Sequence, residues 1–188
     1  MKKEIIYLND DFSNAIDITY DTSLTYYIKE LDDINLTIKI CENSKLDLKI
    51  IGMIDAPIQI NVDMHHAKDS SVDFNLKVVT LGRGCVTANI NSIAKRRATN
   101  VSINQQSKIL PLGAVKSTIN PNLILANKDV EAEHGVSIGN TNESLIYYLN
   151  SKGMETDLAS KLLVKGFLLD GASKASYEFL GMEELYES

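Results

Sequence analysis

The sequence has no tryptophan, and aromatic residues make up only 6% of its 188 positions. A core built from it must be aliphatic, drawn from Ile, Val and Leu. It has two cysteines, Cys41 and Cys85. That is too few for a disulfide framework, so both are expected as free thiols in a reducing compartment. No apolar run approaches the ~18 residues that a membrane span requires. After Lys2-Lys3 the apolar residues stop at Asn9-Asp10-Asp11, too soon for a signal peptide. A cytoplasmic protein is therefore expected. Positive charge is also scarce, and the formal net charge is −6. General nucleic-acid binding needs basic surface to displace counterions, so no nucleic-acid partner is expected. The one basic run, Lys95-Arg96-Arg97, is short enough to be a solvated turn.

Catalytic signatures are missing as well. Leu81-Gly82-Arg83-Gly84 lacks the Lys-Ser/Thr that follows a phosphate-binding loop. There is no Gly-x-Ser-x-Gly elbow and no Cys-x-x-Cys. His65 and His66 are adjacent, so on a strand they face opposite sides and cannot readily share a metal. The chain is not expected to be an enzyme. A carbohydrate-active site on a solenoid would need paired carboxylates on an outer face, and Asp63 and Asp73 are not expected to have an acidic partner in matched register.

What is present is a repeat. Ile58-Gln-Ile60-Asn61, Val72-Asp-Phe74-Asn75, Val86-Thr-Ala88-Asn89 and Val101-Ser-Ile103-Asn104 each read apolar, polar, apolar, Asn. Val115 and Val130 extend the spacing. Alternation of this kind marks half-buried strands, and a fixed period marks a solenoid. Tight Asn-Gly or Asp-Gly hairpin turns are absent between the runs. The expected fold is all-β: a parallel β-helix in which the Val positions face inward and residues about 28–30 apart stack. The four Asn residues are expected as turn or ladder residues. The competing architecture is a β-sandwich.

Helical spacing begins near residue 140. Asn140 and Glu143 form an N-cap pair, and Leu145, Tyr148 and Leu149 share a face. Gly153 sits where a helix C-terminus favours glycine. A second helix is expected over 156–169, with Leu158, Leu162, Leu163 and Phe167 mostly on one face. A third is spaced by Ala175, Phe179, Met182 and Tyr186. Residues 1–139 thus form the β-helix core, and 140–188 form a small C-terminal α-helical subdomain. These helices are expected to pack on the solenoid end or to face a partner.

One stretch carries a resemblance. Pro121, then His134-Gly135, a Gly-containing turn, Glu143-Ser-Leu-Ile-Tyr-Tyr-Leu, Ser151-Lys152-Gly153 and Leu162-Leu163-Val164-Lys165-Gly166-Phe167 resemble the C-terminal part of the SUF iron–sulfur assembly scaffolds, SufB and SufD. The resemblance runs from about Leu110 to Phe167. It implies a flattened, right-handed β-helix, and about half of the usual family length is missing, including an N-terminal helical segment. It implies a scaffold subunit that handles an iron–sulfur cluster transiently. The implied partners are a SufC-like ABC ATPase docked on the C-terminal helices and a second scaffold subunit, identical or paralogous. His134 matches a histidine implicated at the SufB–SufD junction, and Glu133-His134 matches a Glu-His pair of SufB-like relatives. Carboxylate and imidazole are competent iron ligands. By alternation with Val130 and Ala132, His134 falls inward, so a core or turn histidine is the plainer reading. Cys85 is a candidate thiol ligand, although a lone Cys at a strand start is more often packing. Where SufB-like relatives carry the assembly cysteine, this chain has Val115, and in that it looks SufD-like. Tyr147, Tyr148, Leu162, Leu163 and Phe167 are the candidate partner-binding residues. The alternative is a stand-alone interaction module that has kept the fold and lost the cluster chemistry.

Overall fold

The computed structural model describes residues 1–8, 12–29, 33–112, 115–139, 143–169 and 172–182. Eleven strands come first: β1 (Lys2–Leu8), β2 (Phe12–Ile18), β3 (Thr22–Ile28), β4 (Asp33–Ile40), β5 (Lys45–Ile54), β6 (Pro57–His66), β7 (Ser71–Thr80), β8 (Cys85–Ala94), β9 (Val101–Pro111), β10 (Thr118–Leu125) and β11 (Val130–Ile138). Three helices follow: α1 (Glu143–Ser151), α2 (Thr156–Leu168) and α3 (Lys174–Phe179). The odd-numbered strands form one sheet in the order β1-β3-β5-β7-β9-β11, and the even-numbered ones form a second, β10-β8-β6-β4-β2. Every pairing is parallel. The chain alternates between the sheets and returns one rung further on, which is a parallel β-helix.

Strict alternation makes this work. Along β7 the even-numbered residues Val72, Phe74, Leu76 and Val78 are buried, while Asp73, Asn75 and Lys77 are half-buried on the outer face. Parallel, in-register pairing then stacks like on like. One inner column runs Leu46, Val72, Ile103, Ala132, and another runs Ile34, Ile60, Ala88, Ile119. Each fully buried aliphatic side chain contributes about 1.5–3 kcal/mol.

The expected Asn ladders are present on the outer faces. Asn61 Nδ2 donates to Asn35 Oδ1 (2.9 Å), Asn89 to Asn61 (2.8 Å) and Asn120 to Asn89 (3.0 Å). Beside it Asn91 donates to Asp63 (2.6 Å) and Asn122 to Asn91 (2.8 Å). Asn75 and Asn104 both donate to Asp73, at 3.0 and 3.3 Å. The corners leading from the even sheet to the odd one hold Asn43, Asp69 and Asn100, all at positive φ (58°, 54° and 53°). Short Asx side chains tolerate this left-handed region better than most. The basic run Lys95, Arg96 and Arg97 lies fully exposed in the turn between β8 and β9.

Two expectations need correction. Val72, Val86 and Val101 are buried and inward, but Val115 is 38% exposed and lies in the turn before β10. By register the corner between β8 and β9 is three residues longer than the one between β6 and β7, since His66 to Val72 spans six positions and Ala94 to Ile103 spans nine. That insertion moves the inward set from even numbers in β7 to odd ones in β9, which keeps Val101 inward, and it makes the residue stacked on Val86 the one next to Thr118 rather than 115. The second correction concerns the helices. They do not cap the solenoid end. α2 and α3 lie against the outer face of the odd sheet, where Tyr27, Ile51 and Val79 pack with Val164, Leu168, Tyr177, Leu180 and Met182. Tyr7 joins them by ring contacts to Tyr27 (5.5 Å) and Phe179 (5.1 Å). The α1 C-terminus is as expected: Gly153 has φ +89°, and the Met154 N–H bonds back to the Leu149 carbonyl. Asn140 and Tyr186 lie outside the described residues.

A charge tests the inner columns. Val101→Asp leaves an unpaired carboxylate in a dry interior and should cost about 3–5 kcal/mol or prevent folding. Val115→Asp, in the exposed turn, should stay within about 0.5 kcal/mol of wild type. Thermal unfolding followed by circular dichroism measures both.

Candidate functional site

The inner surface ends at β10 and β11. Among the described residues nothing pairs with their outer edges, and residues that by register belong to the core come to the surface there. Val136 (45% exposed) stacks on buried Ser107, Ile138 (44%) on Ile109, and Leu125 (39%) on Ala94. His134 belongs to the same rows. Its column runs Leu24, Leu48, Phe74, Gln105, His134. The residues below it are buried, and His134 is exposed because its rung is the last. The sequence argument was right about its direction. The burial that direction implies does not follow, because no further coil covers it among the described residues.

Glu133 sits beside it on the opposite, outer face, exposed, and stacks on Asn104. A Cβ on the following Gly135 would run into the Gln106 side chain of the rung below. The atoms it would meet are the end of a flexible amide, so a larger residue would only have to push the Gln106 carboxamide aside. Cys85 is not part of this end. It is the half-buried first residue of β8, in the other sheet, on the outward parity next to buried Val86. Cys41 follows Ile40, whose register leads through His66 to Ala94 at the far end of β8. The two thiols are therefore separated by about 30 Å of strand, and both are free. Among the described residues no three His, Cys, Asp or Glu side chains cluster as a metal site.

The two free edges differ. On β10 the Ala126 N–H bonds to Ala94, so the even-numbered backbone groups face β8 and the odd ones face outward. Pro121 falls on the outward set and removes a donor from mid-edge, a usual way of blunting an edge. On β11 the Gly139 N–H bonds to Ile109, so odd groups face β9. Val130, Ala132, His134, Val136 and Ile138 then present an uninterrupted row of backbone donors and acceptors.

A model of the SUF system FeS cluster assembly SufBD core domain matches residues 37–167. The chain belongs to the SufBD core-domain family. It is 33% identical over 72 residues to the iron–sulfur cluster assembly protein SufD of Bacillus subtilis, a match covering 38% of this chain and 16% of that protein. It is 28% identical over 130 residues to an iron–sulfur cluster assembly SufBD family protein of Pyrococcus horikoshii, covering 68% of this chain and 29% of that one. The matches thus span less than a third of either relative.

The proposed docking face is on α1 and α2. α1 packs on α2. Tyr147 is 77% exposed and Tyr148 54%, so neither is buried against the solenoid. Lys152 lies over the Tyr148 ring at 5.5 Å. Leu162 and Leu163 are half-buried, and Phe167 packs into the cluster that ties α2 to the odd sheet. No helix of the described residues is long and apolar enough to cross a membrane.

Sequence reasoning missed the polar interior under the last rungs. Gln105, Ser92, Ser107 and Thr80 are each at most 1% exposed. Parity from Ile103 would have put Gln105 inside. His66 was correctly separated from His65. It is buried, and burial, with the charge on His65 second, pulls its pKa down to about 4. An unfolded chain takes up that proton below about 6.5 and the native chain does not. Stability present above pH 6.5 should therefore decline as pH falls to 4, by about 2–3 kcal/mol from this group. His66→Leu should lose that part of the slope, as read by urea unfolding midpoints at pH 7 and pH 4.5.

Proposed function

We propose that this chain is a non-enzymatic scaffold unit of an iron–sulfur cluster assembly complex. In this reading it pairs through its open end with a second scaffold unit, and an ABC-type ATPase docks on α1 and α2. The observation that carries it is the uncovered end: core rows surface at Val136, Ile138 and Leu125 beside an unblunted β11 edge. An apolar mouth next to unpaired backbone groups is a surface that proteins normally cover. A partner strand added to β11 would bury these residues and put His134, with Glu133, at the junction. Imidazole suits iron there as the cargo handed through the complex, while the Glu133 carboxylate, on the opposite face of β11, would not readily share the same ion. ATP-driven closure of the ATPase pair would move the two scaffolds and expose this ligand. Tyr147 and Tyr148 fit the role of docking anchors, since exposed tyrosines bury large area with few rotors.

A stand-alone module is the second reading. It is favoured by Val115, which stands where SufB-like relatives carry a cysteine, and by the absence of a three-ligand cluster among the described residues.

Two variants separate the surfaces. Ala132→Pro removes an outward N–H from β11 and leaves the ladder to β9 intact, so it should abolish pairing with the second scaffold in analytical ultracentrifugation without loss of fold. Tyr147→Glu should weaken ATPase binding by at least about 2 kcal/mol, the size of an interface hot spot, with scaffold pairing unchanged. A wild-type chain that binds neither partner, with or without nucleotide, leaves the stand-alone module as the better account.

A further inference from the structure

Gln105 lies on β9 directly under His134, on the inner face and in register. It is 1% exposed. Its Nε2 donates to Ser92 Oγ across the core at 2.7 Å, and that bond fixes the amide plane. Its other polar atom, Oε1, is buried with no hydrogen-bond partner. An orphaned buried acceptor is costly, and a native chain that keeps one commonly uses it. Its own column gives Oε1 no donor from below, for Phe74 lies on that rung. The rung above holds His134, whose ring is a donor. His134 is exposed while the end is open.

We propose that Gln105 is a positioning residue for His134. When a partner covers the open end, one imidazole N–H of His134 donates to Gln105 Oε1. That bond selects the tautomer and turns the remaining nitrogen, with its lone pair, toward the junction. Metal-binding histidines generally hold their second N–H in this way, on a carbonyl, carboxylate or water, and loss of the holder weakens metal binding. The inference rests on the proposed function, since it presupposes that His134 meets iron at the junction. It adds that the ligand is oriented from inside the β-helix, by an amide pinned across the core to Ser92.

The test uses the full chain assembled with its partner scaffold, and anaerobic Fe(II) as the probe. The double variant Gln105→Met/Ser92→Ala removes the acceptor and the hydroxyl together, so neither polar group is stranded. Fe(II) affinity should fall 10- to 100-fold while Tm stays at or above the wild-type value. Gln105→Glu, which keeps an acceptor in place, should hold affinity within a few-fold. In the assembled wild type, 15N-labelled His134 should show a single neutral tautomer, and in the double variant a mixture. A double variant that binds Fe(II) like wild type, in a complex where His134→Ala abolishes binding, overturns the role of Gln105 and leaves the scaffold reading standing. That is also the outcome if a water molecule, rather than His134, serves Oε1. A double variant whose Tm falls along with its affinity makes Gln105 a structural residue and overturns the role too. If the wild type binds no Fe(II), or His134→Ala changes nothing, both the inference and the junction ligand fall together.

Discussion

Parallel, in-register stacking is the constraint on which everything else in this molecule depends. Each strand bonds only to the strands one coil before and after it, so a residue's neighbour in the sheet is set by the length of one full turn of the chain. Inner columns accept that rule because aliphatic side chains of similar size stack without leaving voids. Outer columns accept it because an amide can donate to the amide below and accept from the one above, as Asn35, Asn61, Asn89 and Asn120 do. The corners enforce the rule. Asn43, Asp69 and Asn100 all take left-handed backbone angles, and Asn100 Nδ2 bonds Asp69 Oδ1 at 2.7 Å. A coil can lengthen only where the extra residues stay in a corner: the three added between Ala94 and Asn100 change the inward set from even to odd numbers and leave the columns in register, whereas one added within a strand would turn every following side chain inside out.

The same rule makes the last coil special. A solenoid has no way to close on itself, so some rung must be last, and its inner residues are core residues by register and surface residues by position. Here that rung carries Val136, Ile138 and His134. Just below it the interior turns polar, with Gln105 bonded to Ser92 and Ser107 alongside. The two edges are then treated unequally. Pro121 removes a donor from β10, while β11 keeps its full outward row. A chain that only had to avoid aggregation would blunt both. Leaving one open is the pattern expected of an edge kept for a partner.

Most of the fold was legible in the sequence, and for a physical reason. The inward set of Val and Ile at a 14–15 residue spacing is the direct image of two strands per coil, and of the four repeated Asn residues, expected as turn or ladder residues, Asn61 and Asn89 stand in a ladder while Asn75 and Asn104 both bond Asp73. Where the reading slipped, it slipped at corners. Val115 failed because three residues were added in the corner between Ala94 and Asn100, which makes that coil 31 residues long instead of 28, and alternation within a strand carries no information about the length of a corner. The site was less legible. Parity alone placed His134 inward, but whether an inward residue is buried depends on how many coils follow, which is a property of the whole stack. Cys85 was a candidate because thiols bind iron, yet ligand chemistry carries no information about which corner of a solenoid a residue occupies.

The position of the helices ties these points together. Amphipathic helices following β11 had two places to go, the open end or the outer face of a sheet. On the outer face of the odd sheet Tyr7, Tyr27 and Ile51 share one register row and Val79 stands beside it with Met53, where other outer positions carry Lys, Asp and Asn. Burying that row against Val164, Leu168 and Tyr177 satisfies α2 and α3 without touching the end. These outer aromatics and aliphatics therefore decide more than where two helices sit. By drawing them sideways they leave the last rung, and with it His134, uncovered by α2 and α3.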